Sequence, residues 1–116
     1  MTLTDEMTAW LGDTELAETQ ADRFARVWNE IEERYPDEDA VRDAVLSAAL
    51  QYLLGEATVQ TAAVELAQAR AAQRVAMEAG KQVALMAIED GMDEQEAAKV
   101  LGVARKTMRR AAGKDD

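Results

Sequence analysis

A single proline, Pro36, interrupts 116 residues. Proline and glycine are the strongest helix breakers, and a chain with one of the first and six of the second, rich in Ala, Leu, Glu, Gln and Arg, favours helix nearly everywhere. β-branched runs are too sparse to compete. The expected fold class is all-α: one domain over residues 1–116, a compact helical bundle of about six helices.

The chain has no cysteine and no histidine. Thiolate nucleophiles, disulfides, Cys/His zinc sites and histidine acid–base chemistry are therefore excluded, and no metal or cofactor is expected. Residues 1–10 carry acids in place of a basic region and an apolar run, so they do not read as a secretory signal. Charged residues recur every few positions, too often for a membrane span. The expectation is a soluble, cytoplasmic protein with no membrane partner.

Along the chain, Thr4 caps a short opening turn, with Leu3, Met7, Trp10 and Leu11 as docking groups, and Gly12 ends it. A second helix, capped by Asp13 or Thr14, runs to Arg34 and carries Leu16, Gln20, Phe24, Val27, Ile31 and Tyr35 on one stripe, flanked by Trp28. Pro36 stops it, and the acids Asp37, Glu38 and Asp39 start the next. That third helix places Val41, Ala44, Val45, Ala48, Ala49, Tyr52 and Leu53 on one side, with Leu46, Leu50 and Leu54 widening the face and Gly55 closing it. A face so wide suggests more than one neighbour.

From about Thr58 the chain is alanine-rich, with one seam of Val64, Ala67, Ala71 and Val75 and another of Val59, Ala63, Leu66 and Ala69. Such a helix needs partners on both seams, so it is either central in the bundle or part of a subunit interface. Gly80 either ends it or is carried through, and residues 81–90 are again helical.

Charge is unevenly placed. Residues 1–66 hold 4 basic and 15 acidic groups, whereas 93–114 hold 6 basic and 3 acidic. The whole chain, at −10, would repel nucleic acid, yet Arg105, Lys106, Arg109, Arg110 and Lys114 form a basic cluster with no acid among them. The organisation expected is an acidic helical part over 1–80, serving dimerisation or a protein partner, and a basic part over 81–114.

Within the basic part, Asp93 caps a short helix with Glu96 three residues on, burying Ala97, Ala98 and Leu101. Gly102 supplies the positive φ of a tight turn, Val103 plugs the angle, and a last helix carries Met108, Ala111 and Ala112 inward. Ala104 offers this helix no capping oxygen, and Gly113 limits it to about nine residues.

The stretch EQEAAKVLGVARKTMRRA resembles the helix-turn-helix of bacterial and phage DNA-binding proteins. In that family a small residue on the first helix faces its partner, as Ala98 would. A glycine follows four residues later, as Gly102 does, then an apolar residue, Val103, and apolar positions on the recognition helix, Met108 and Ala111. Thr107 matches a threonine that reaches backbone phosphate. The resemblance implies double-stranded DNA as the partner. With Ala98, Met108 and Ala111 inward, helical periodicity turns Arg105, Lys106, Arg109 and Arg110 outward. The expected division sends Arg105, Lys106 and Arg109 toward the groove and Thr107, Arg110 and Lys114 toward phosphate.

The pairs Asp37/Asp39 and Asp22/Arg26 read as capping and surface charge, and the glycines form no phosphate-cradling loop, so an enzyme is not expected. The function expected is sequence-specific DNA binding, as a transcriptional regulator or a phage or plasmid accessory protein, by a homodimer on a palindromic site. The alternatives are a protein-interaction adapter with a structural helix-turn-helix, and a phage packaging or replication adapter.

Overall fold

The computed structural model describes residues 2–114. Among them are six helices and no strand: α1 (Asp5–Leu11), α2 (Glu18–Arg34), α3 (Asp39–Leu53), α4 (Val59–Glu89), α5 (Glu94–Leu101) and α6 (Arg105–Ala111). The all-α class holds. The helices do not share a single bundle core, however; they fall into two compact units, Met1–Ala62 and Ala63–Asp116. No helix among the described residues is long and apolar enough to cross a membrane.

The first unit is built on α1–α3. Thr4 caps α1 as its sequence requires, its Oγ1 accepting from the Met7 N–H at 3.2 Å. Helix α2 starts later than expected, after Ala17 rather than after Asp13 or Thr14. The reason is Gln20: its Oε1 accepts from the Ala17 N–H at 2.8 Å, and its Nε2 donates to the Leu53 carbonyl at 3.0 Å. One amide thus satisfies an orphan donor of α2 and an orphan acceptor at the end of α3. Met7, Leu11, Phe24, Ala25, Trp28, Ile31 and Leu46 form the buried core. Trp10, Phe24 and Trp28 stand at mutual centroid distances of 5.8 to 6.0 Å, stacked and edge-on, the arrangement that the ring quadrupoles favour.

The wide face expected on α3 narrows to Leu46 with Val45, Ala49, Leu50 and Leu53 against the core. Val41 and Tyr52 remain exposed, because the α2 side covers only about one face of a helix. Tyr52 is instead roofed by the Arg23 guanidinium, 5.6 Å from the ring centre.

Helix α4 is capped reciprocally by Thr58 and Thr61, whose hydroxyls each accept from the other's N–H at 3.2 and 2.9 Å. It runs unbroken through Gly80, and it holds no buried residue. Val64, Ala67, Ala71 and Val75 are exposed, and so are Leu66 and Ala69, so the two alanine seams are not core seams. Only from Met77 onward does α4 gain cover, on the side of Met77, Gly80, Ala84, Ala87 and Ile88. There Leu101 of α5 lies over Gly80, the one place where that helix lacks a Cβ.

Candidate nucleic-acid interface

The basic cluster lies on α6 and the turns that flank it. Asp93 caps α5, its Oδ2 accepting from the Glu96 N–H at 3.1 Å, and the acids Glu94 and Glu96 occupy the first turn, where the helix dipole favours negative charge. At the other end, Gly102 takes φ 82°, and the N–H groups of Gly102 and Val103 both donate to the Ala98 carbonyl at 2.9 Å. A left-handed residue is needed for that double closure, and glycine supplies it without a Cβ penalty. Three residues later α6 begins at Arg105, with no side-chain cap at Ala104.

Met108 is wholly buried, against a pair in which Ala97 and Ala98 are also buried. Leu101, Val103 and Thr107 are half-buried. Ala111, expected on the inward face with Ala112, is exposed. The helix ends at Ala111, shorter than expected. Gly113, at φ 79°, then folds the chain back, with the Lys114 N–H donating to the Arg109 carbonyl at 2.8 Å.

That fold-back completes a contact in which one carboxylate holds three of the basic groups. Glu94 Oε1 accepts from Arg105 Nε at 3.1 Å and from an Arg109 guanidinium nitrogen at 3.4 Å, and its Oε2 accepts from Lys114 Nζ at 3.3 Å. The Glu94 side chain is only 12% exposed, whereas Arg105 and Lys114 stay more than half exposed. The hydrogen bond from Arg105, aided by Lys114 and the charge of Arg109, holds the Glu94 carboxyl below its ordinary range, although desolvation pushes the other way. Solvent screens such half-exposed pairs, so each adds little to stability. Electrostatically the result is a partial neutralisation: three positive charges meet one negative charge, and the cluster stays positive.

Lys106 and Arg110, one helical turn apart, are exposed and make no ion pair among the described residues. The two residues expected to share groove contact with Lys106, namely Arg105 and Arg109, therefore stand bonded to Glu94, as does Lys114. Residue spacing does not reveal Glu94, which precedes its partners by 11, 15 and 20 positions. Its contacts depend on both Gly102 and Gly113 turning the chain.

Among the described residues, no group of three or more His, Cys, Asp or Glu is placed to hold a metal ion. Comparison with protein-family models, with curated proteins and with solved structures gave no match to this chain.

Proposed function

We propose that this chain is a sequence-specific, double-stranded DNA-binding protein, a regulator or accessory factor without catalytic activity, acting as a homodimer. The observation that carries the reading is the α5–α6 pair: Met108 inward and fully buried, a glycine-closed turn, and five cations along α6 and its end. This is what a helix-turn-helix needs in order to present one helix to a groove. Lys106 and Arg110 make the first contacts, because neither is paired with a carboxylate among the described residues. Arg105, Arg109 and Lys114 then exchange Glu94 for phosphate oxygen or a guanine edge. The acidic first unit repels the duplex everywhere else, which suppresses non-specific binding.

The Glu94 contacts also favour a second reading, a protein-interaction adapter in which the same ion pairs simply close α5 onto α6 and the acidic unit carries the partner surface. Selection of bound sequences from a random duplex pool separates the two. A reproducible palindrome is the outcome expected of the DNA-binding protein; enrichment of no duplex would leave the adapter.

A further inference from the structure

Among the described residues nothing covers the α4 face turned away from α5, and its composition is ordered. Val64, Val75 and Met86 follow one another at 11-residue intervals and are 56%, 71% and 55% exposed. Eleven residues make three helical turns to within about 20°, so the three side chains form one nearly straight stripe about 33 Å long. The covered side, marked by Gly80, Ala84 and Ile88, lies about 140–180° around the helix from Val75 at 3.6 residues per turn, centred opposite it. Between the large residues the stripe carries Gln68, Ala71, Ala79 and Gln82, all exposed.

This order is symmetric about Val75. Reversing the helix exchanges Val64 with Met86, Gln68 with Gln82 and Ala71 with Ala79, and returns Val75 to itself. A surface that matches its own reversed copy fits a two-fold, isologous contact. We infer that α4 pairs with α4 of a second copy of this chain, antiparallel and centred on Val75.

In that register Val75 meets its equivalent on the axis, Val64 packs on Met86 of the second copy, and the paired glutamines exchange amide hydrogen bonds. The alanines let the helices approach closely. Charge agrees: Glu78 and Arg74 lie on the same flank of the stripe, and an antiparallel pair sets that flank against its equivalent. Each Glu78 then comes within a turn of the second copy's Arg74, twice by symmetry. Within its own chain Arg74 has no ion partner among the described residues, and Glu78, itself exposed, is paired there with half-buried Lys81 at 3.2 Å. A strip this long and one helix diameter, about 10 Å, wide falls below the area of standard stable interfaces, so the association is weak and concentration-dependent.

The inference gives the proposed homodimer its contact surface and is tested without DNA, so that its failure and a failure of DNA binding are distinguishable. Sedimentation of the full chain across the micromolar range should show a monomer–dimer equilibrium. Val75→Glu, which sets two carboxylates against each other on the axis, should leave only monomer with unchanged helicity by circular dichroism. Arg74→Glu should weaken the dimer at least several-fold, and the Arg74→Glu/Glu78→Arg double variant should restore it. Orientation is read by disulfide formation, since the chain has no cysteine of its own. A mixture of Val64→Cys and Met86→Cys chains should form the mixed disulfide, while each alone should stay reduced. A monomer at every concentration, a dimer indifferent to Val75→Glu, or self-linking of Val64→Cys alone would overturn the proposal.

Discussion

Leu101 Cδ1 lies 2.8 Å from the point where a Cβ on Gly80 would stand. That contact seats α5 on α4, and it predicts a graded response to size. Alanine at position 80 displaces only the end of a flexible side chain and gains about 1 kcal/mol of helix propensity, so the stability of Gly80→Ala should stay within about 1 kcal/mol of the parent. Gly80→Leu should cost about 1–3 kcal/mol by overpacking. Urea denaturation of the full chain checks both, and equal stability of the two variants would show that the approach of Leu101 is immaterial.

Glu94 makes the α5–α6 pair acid-sensitive. Its folded pKa lies below the ordinary value of 4.5, so its ion pairs contribute stability above that value and lose it as pH falls through the folded pKa. Glu94→Gln lacks this component. The stability difference between parent and Glu94→Gln should therefore be largest near neutrality and shrink below pH 4.5. Parallel thermal melts across the acid range measure it; a gap that widens on acidification would contradict the assignment.

The same substitution should strengthen duplex binding. With the carboxylate gone, Arg105 and Lys114 need not leave Glu94 before meeting phosphate, and the slope of log affinity against log salt should steepen by about 0.9 for each additional phosphate neutralised. Fluorescence anisotropy at several salt concentrations reads both. Weaker binding by a fully helical Glu94→Gln chain would mean that Glu94 positions α6 rather than competes with DNA.

Lys106 and Arg110 should behave differently from Arg105 and Arg109. Lys106→Ala/Arg110→Ala should lower affinity for every duplex, since neither cation is held by Glu94. Arg105→Ala/Arg109→Ala should lower discrimination between the selected site and random duplex, with about 1–3 kcal/mol at stake for each bidentate base contact. Unchanged discrimination in this second variant would confine both arginines to their contact with Glu94.

In the first unit, Phe24 has no exposed surface, stacks on Trp10 and meets Trp28 edge-on. Phe24→Ala should cost about 3–5 kcal/mol through lost burial and the cavity left behind. Gln20→Ala, which removes two end-capping hydrogen bonds from a half-buried site, should cost about 0.5–2 kcal/mol. Chemical denaturation followed by tryptophan fluorescence reports on this unit directly, because Trp10 and Trp28 both belong to it.

Local chemistry in the sequence already determined the helices and most of their ends. Thr4, Thr58 and Asp93 bond to groups three residues away, and the positive φ of Gly102 is needed by the turn itself, so short-range preference and outcome coincide. The same holds for Met108, whose inward direction follows from helical period. Tertiary structure alone decided the rest. Gln20 sits on an apolar stripe by spacing but is drawn into two caps, one of which belongs to a helix 33 positions away. Gly80 continues a helix rather than ending it, and Leu101 packs into the space its Cβ would fill. The seams of α4 have core composition yet lie exposed, since burial depends on where other elements run and not on the seam. Glu94 reads as one more acid at a helix start until two glycine turns bring Arg105, Arg109 and Lys114 around it. Periodicity and capping act over one or two turns of chain, whereas these contacts require distant segments to be placed in three dimensions first.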